Sequence, residues 1–212
     1  MTKELAIVGA SGHGKVIADL AELLGFTVKF YDDAYPNKAY IEHWPINGTC
    51  ADLIALNNTA IISCNDVVVA IGNNEIRASK VQLLQQNGFN LISLVHPTAI
   101  ISQYAAIASG TVVFAGAIVN AFAKVGLGCI INTAAVIEHD CIIDEFAHIC
   151  PNVTLAGSVT VGCKSWVGVG TQVRQLIKIG NNCLIGAGST VIKNIPDNET
   201  AYGSPAVSNN KA

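Results

Sequence analysis

The 212-residue chain is poor in charge: 12 Lys and Arg against 15 Asp and Glu leave a net charge of −3, and 13% of residues are charged. It has no basic stripe and no interleaving of basic with aromatic residues, which argues against nucleic acid as a partner. No apolar run reaches membrane-spanning length, and the longest are strand-sized, so no membrane span is expected. The N-terminus runs directly into a strand, with neither a charged-then-apolar leader nor a small-residue cleavage site. A disulfide pattern is missing too. The seven cysteines are odd in number and form no CxxC pair, and Cys129, Cys141 and Cys183 read as small core residues. A reducing, cytoplasmic location is expected.

What the chain does have is a repeat. From Ile101 to Val191 every sixth residue is Ile, Val or Leu, sixteen times without a break. Neither an α-helix nor a half-buried strand has this period; a parallel β-helix, in which each hexad forms one side of a coil, does. Two residues before each aliphatic stands a slim one, from Ala99 and Ala105 to Cys183 and Ser189, with Ile177 the exception. Large beside small suits a narrow stacked interior. A solenoid so short of charge must cover its flat faces, which favours self-association.

Three hexads make a coil, so residues eighteen apart stack. Titratable groups are sparse in the repeat except around Glu138-His139-Asp140 and Asp144-Glu145-Phe146-Ala147-His148. His139 is expected over Ala121 and under Gly157, with open space about its ring. Glu138 falls between Asn120 and Ala156, and Asp140 between Phe122 and Ser158. A histidine between two carboxylates, beside a glycine N–H, supplies a general base and an oxyanion donor. His148 falls between Ile130 and Trp166, where packing on the tryptophan and a binding role are both open. No metal is expected: His139 and His148 are half a coil apart, and Cys141 and Cys150 do not complete a four-ligand set with them.

The first half differs. Leu5 to Val8, Val28 to Tyr31, Val67 to Ile71 and Leu91 to Val95 read as strands. Helices are expected from His13, with Val16, Ile17, Leu20, Leu23 and Leu24 at helical spacing, and over Glu75 to Asn87. Alternating strands and helices imply a Rossmann-like parallel sheet. The domains are placed at 1–96 and 97–212, and the stretch from Ala34 to Cys64 is irregular. The turn Gly9-Ala10-Ser11-Gly12-His13-Gly14-Lys15 departs from GxGxxG at Ser11 and from GxxxxGK[ST] at Val16. Its backbone N–H groups and the following helix end suit phosphate, although a tight turn without a ligand is the alternative. Asp32 and Asp33 stand where such folds place a nucleotide-reading acid, or a solvated pair.

Together these segments resemble the bacterial sialic acid O-acetyltransferase and nucleotide-4-amino-sugar N-acetyltransferase family. The likeness rests on Gly9 to Gly14, Asp32-Asp33, His96-Pro97, Ile137-Glu138-His139-Asp140-Cys141, His148-Ile149-Cys150-Pro151 and Gly203-Ser204-Pro205-Ala206. It implies a left-handed parallel β-helix and a homotrimer with sites between adjacent subunits. The expected reaction is transfer of an acetyl group from acetyl-CoA to the 4-amine of a UDP-linked amino-deoxy sugar. By resemblance the N-terminal domain holds the nucleotide sugar through Gly9, Ser11, Gly12, His13, Gly14, Asp32 and Asp33, and Asn132 lines the sugar site. His139 becomes the general base, assisted by Asp140 and Glu138. His148 contacts acyl-CoA, Gly157 donates to the thioester oxygen, and Val169 and Ala187 contact the pantetheine and adenine. Asp140 stands where some relatives carry Glu, so a shorter carboxylate must reach His139. The alternatives are O-acetylation of a sialic acid or related sugar, a zinc-dependent carbonic-anhydrase-like enzyme, and a non-catalytic nucleotide-sugar-binding protein.

Overall fold

A computed structural model describes residues 3–58 and 65–208. The chain divides between Leu94 and Val95 into two compact units.

The first unit is a four-stranded parallel sheet. Its elements in chain order are β1 (Lys3–Val8), α1 (Gly12–Leu23), β2 (Phe26–Tyr31), β3 (Tyr40–Ile41), β4 (Trp44–Pro45), α2 (Cys50–Asn58), β5 (Asp66–Val69), α3 (Asn74–Gln86) and β6 (Asn90–Leu91). The sheet order is β2-β1-β5-β6, and β1 contributes Leu5, Ala6, Ile7 and Val8 to the core. The stripe of α1 that is buried is Gly14, Ile17, Ala18 and Ala21, with Leu20 beside it, a spacing of i, i+3, i+4, i+7. Val16, Leu23 and Leu24 face solvent instead, correcting the broader apolar face read from sequence. Gly25 ends α1 in the left-handed region at φ 85, as a C-terminal glycine should.

Two sequence assignments need revision. Leu91 to Val95 is not one strand: Asn90–Leu91 closes the Rossmann-like sheet, and Leu94–Val95 belongs to the repeat. The stretch called irregular holds the β3–β4 hairpin and α2, while residues 59–64, including Cys64, lie outside the described residues. Thr49 and Asp52 begin α2 with a reciprocal capping box. The Thr49 N–H donates to Asp52 Oδ2 at 2.8 Å, and the Asp52 N–H donates to Thr49 Oγ1 at 3.1 Å.

The second unit is a parallel β-solenoid. Its two-residue strands stack in three sheets, of which the sheet from Ile100–Ile101 to Thr190–Val191 has six strands. Pairing runs i to i+18 as far as Thr190–Val191, as in Ile130 to His148 to Trp166, and the last coil is two residues shorter, with Leu184 paired to Thr200. The aliphatic ladder fills the interior: Val119, Ile131, Ile137, Ile149, Leu155, Val161 and Val167 have no exposed surface. The slim positions are buried for a second reason. Those with a hydroxyl or thiol reach turn carbonyls, as when Ser165 Oγ donates to Gly180 O at 2.6 Å and Thr111 Oγ1 to Gly126 O at 2.8 Å. Cys129 and Cys141 do the same through sulfur, at 3.1 and 3.3 Å.

Candidate active site

His139 and Asp140 occupy the corner that follows the strand Val136–Ile137. The corner is pinned on both sides by backbone bonds, Asp140 N to Ala121 O at 3.1 Å and Ser158 N to His139 O at 2.9 Å. Asp140 takes a left-handed conformation, φ 59, which aspartate tolerates better than most residues. That backbone turns its carboxylate onto the histidine: His139 Nδ1 and Asp140 Oδ2 are 2.8 Å apart. With the Nδ1 proton donated to a carboxylate, Nε2 carries the lone pair. Both side chains are open to solvent, 60% and 55% exposed. The shorter carboxylate does reach its partner. Among the described residues no hydrogen bond joins the Glu138 carboxylate to His139, and the carboxylate that meets the imidazole is that of Asp140.

Gly157 lies one coil further along, against the imidazole. A Cβ built on Gly157 would stand 2.6 Å from both Cε1 and Nε2 of His139. The space expected around the ring is thus the space the ring itself fills. The Gly157 carbonyl accepts from Leu176 N at 3.1 Å, while its N–H donates to no acceptor among the described residues. Nearby Cys141 is fully buried, and burial raises its thiol pKa. Cys150 is pushed up to about 12 by burial. Neither is a thiolate nucleophile at neutral pH.

A second cluster forms half a coil away. His148 is buried in the strand His148–Ile149, with its ring centroid 4.2 Å from that of Trp166. Its Nε2 meets Asn132 Nδ2 at 3.1 Å, which joins the two residues assigned separately to sugar and acyl-CoA. Val169 and Ala187 are exposed one above the other on the corner beyond this sheet, where Gly188 N donates to Val169 O at 2.7 Å. Within one chain His139 and His148 therefore sit on different faces. No group of three or more His, Cys, Asp or Glu side chains is placed to hold a metal ion among the described residues.

In the first unit, Gly9, Ala10, Ser11, Asp32 and Asp33 line one cleft with Ile71, Gly72, Ile76 and Lys80. Gly9 is required by conformation, φ 110, and by space, since a Cβ there would stand 2.9 Å from Ala70 O. Asp32 ties the turn down: its carboxylate accepts from Ala10 N at 2.6 Å and from Ala34 N at 2.9 Å. Asp33 accepts from Cys50 N at 3.1 Å and pairs with Lys80 Nζ at 2.5 Å. The Lys80 hydrogen bond holds the Asp33 carboxyl below its usual range. Partial burial pulls the Lys80 ammonium down, but the hydrogen bond to Asp33 and the charges of Cys50, Asp33 and Asp32 together outweigh it, and the net shift is upward.

Three residues grouped with this turn in the sequence do not line the cleft. Gly12, His13 and Gly14 are not among its lining. Gly14 is buried where a Cβ would stand 2.5 Å from Gly9 O, so it serves close packing of α1 on the turn. His13 is turned inward, and burial followed by the Arg77 guanidinium lowers its pKa to about 4. Arg77 was not singled out from sequence. It is 1% exposed, and its Nη1 donates to Ile71 O and Gly72 O at 3.0 and 2.9 Å, holding the far wall of the cleft. Lys80 also went unrecognised, since one lysine in an amphipathic helix carries no local signal.

The family model described as the PglD N-terminal domain matches residues 4–84. The UDP-N-acetylbacillosamine N-acetyltransferase of Bacillus subtilis (strain 168) is 40% identical over 115 residues, 53% of this chain and 52% of that protein. The GDP-perosamine N-acetyltransferase of Escherichia coli O157:H7 is 26% identical over 144 residues, 65% of each. The chain thus spans between half and two thirds of these curated relatives. Solved structures match over greater lengths. A histidine-to-asparagine mutant of perosamine N-acetyltransferase from Caulobacter crescentus, in complex with CoA and GDP-perosamine, has a TM-score of 0.93 at 32% identity, covering 98% of this chain and 97% of that one. The acetyltransferase domain of PglB from Neisseria gonorrhoeae FA1090, in complex with acetyl coenzyme A, has a TM-score of 0.89 at 37% identity, covering 98% of this chain and 100% of that one. With identity of this level over whole chains and the same two-part fold, the chain belongs to the nucleotide-4-amino-sugar N-acetyltransferase family of hexapeptide-repeat acyltransferases.

Proposed function

We propose that the chain transfers an acetyl group from acetyl-CoA to the 4-amine of a UDP-linked amino-deoxy sugar. The observation that carries this reading is the His139–Asp140 pair at 2.8 Å, with Nε2 directed over Gly157. His139 Nε2 removes a proton from the amine as the nitrogen attacks the thioester carbonyl. The N–H of Gly157 donates to the oxyanion that forms. Collapse expels the CoA thiolate, which takes the amine's proton from the imidazolium and leaves as the free thiol. Acetyl transfer is direct, in keeping with the absence of a thiolate among the buried cysteines of this wall.

The nucleotide is assigned to the cleft of the first unit, and acetyl-CoA to the column of Val169 and Ala187 beside His148. The separation of His139 from His148 within one chain supports a homotrimer in which neighbouring subunits complete each site. UDP is preferred because the Bacillus subtilis relative, at 40% identity, is named for a UDP sugar. The six described cysteines are all free thiols, which supports a reducing cytoplasm, and bacterial glycan biosynthesis is the setting the relatives suggest.

Thiol release from acetyl-CoA, measured against a panel of UDP- and GDP-linked 4-amino sugars and free sialic acid, tests the reading. Release with a UDP amino sugar is expected. His139→Ala should lower kcat by about 10²–10⁴-fold with CoA binding nearly intact, and wild-type turnover in that variant would sink the assignment.

A further inference from the structure

The corner column that carries Asp140 also carries two bulky, exposed apolar residues in left-handed backbone. Stacking at eighteen-residue intervals places Tyr104, Phe122, Asp140, Ser158 and Leu176 one above another. Phe122 is 59% exposed at φ 63, and Leu176 is 72% exposed at φ 62. Bulky residues at positive φ are outliers; other corners here use Gly110, Gly128, Asn152 and Asn182, and also Ala134, Ser158 and Lys164, none of them a large apolar side chain. Phe146 shows what usually compensates, for it takes φ 60 but is 2% exposed. Phe122 has no such burial. Its ring instead stacks on Tyr104, with centroids 5.4 Å apart and planes 19° from parallel, and Tyr104 is itself 60% exposed.

This strained, solvent-facing aromatic pair begins one coil from the base. The bond from Asp140 N to Ala121 O, 3.1 Å, fixes neighbouring coils at about 4.8 Å, close to the width of a pyranose ring. We propose that Phe122, backed by Tyr104, is a specificity-determining platform on which the apolar face of the acceptor sugar ring lies while its amine meets His139. Deoxy sugars suit such a platform, because each lost hydroxyl leaves more C–H surface to lie on an aromatic face. Strain at exposed residues is kept where function over-determines it. The inference rests on the proposed sugar-acetylating activity.

Steady-state kinetics of Phe122→Ala and Phe122→Trp test it. The alanine variant should raise KM for the nucleotide amino sugar about three- to tenfold, the range of a ring-stacking contact. KM for acetyl-CoA and kcat should stay within about twofold, and tryptophan should restore the sugar KM. Phe122→Asn should fold with an unchanged or higher Tm, since asparagine tolerates the left-handed region. An unchanged sugar KM in active Phe122→Ala overturns the platform alone. Equal weakening of inhibition by free UDP or GDP would move the contact to the base and overturn it. A change in oligomeric mass in either variant would assign the pair to packing against a second copy, with the same consequence. Wild-type protein that acetylates no amino sugar overturns the activity and the platform together.

Discussion

The Cα of Gly157 lies so close to the His139 imidazole that one added methyl group would stand 2.6 Å from Nε2. Gly157→Ala keeps the backbone N–H proposed to bind the oxyanion but takes away the place of the ring. The imidazole, 60% exposed, can swing outward, so Tm should change little. Displacement of a reacting group by about 1 Å costs on the order of 10²-fold. We expect kcat for thiol release to fall by about that factor, and an unchanged kcat would show that the ring does not work from this position.

In the proposed mechanism Asp140 acts through His139, as a positioning residue. Asn is the informative replacement, because it tolerates the φ of 59 that Asp140 adopts. An amide can present its NH₂ to Nδ1 and favour the wrong tautomer. Asp140→Asn should therefore lower kcat by about 10–10³-fold, short of the loss from removing the base, with both KM values nearly constant. Asp140→Glu, whose longer side chain can still reach the ring, should recover part of the rate. A loss that appeared in KM rather than kcat would assign Asp140 to substrate binding instead.

The repeat was legible because its signal is periodic: sixteen aliphatics and their slim partners over-determine the pairing of each coil. From that register followed His139 stacked on Gly157 and His148 between Ile130 and Trp166, both found. What register does not contain is side-chain rotation. Glu138 and Asp140 flank His139 symmetrically in sequence, and it is the left-handed φ of Asp140 that selects one of them. In the first unit Lys80 meets Asp33 across 47 positions, and Arg77 braces a loop through main-chain oxygens. Such contacts follow from tertiary packing rather than local pattern. The capping box at Thr49 and Asp52 was readable and was missed, because aspartate replaces the usual glutamate.

Lys80 supplies a cation to the cleft at little cost to the fold. Its partner Asp33 is 58% exposed, and pairs of that kind contribute roughly 0–1 kcal/mol. Lys80→Ala should leave Tm within a few degrees. If the cleft takes a nucleoside diphosphate, losing a charged donor should raise KM for the nucleotide sugar about tenfold or more while KM for acetyl-CoA holds. Isothermal titration with UDP and with CoA would separate the two, and equal weakening of both would remove Lys80 from the nucleotide site.

His13 gives the first unit a pH-dependent stability that can be isolated. Burial, and then the Arg77 guanidinium, lower its pKa from 6.5 to about 4 in the folded protein. The unfolded chain, titrating near 6.5, binds the proton first as pH falls. Stability from the neutral imidazole is therefore complete above pH 6.5, is lost progressively down to about pH 4, and changes no further below that. By pH 4.5 the loss is on the order of 2–3 kcal/mol. Carboxylates with lowered pKa, such as Asp33, lose stability in the same direction at lower pH, so wild type alone does not assign the effect. His13→Gln keeps a polar side chain without the titration. Urea unfolding of both proteins at pH 7 and pH 4.5 should show wild type losing about 2–3 kcal/mol more than the variant. Equal losses would mean that His13 accepts a proton in the folded state as readily as in the unfolded one.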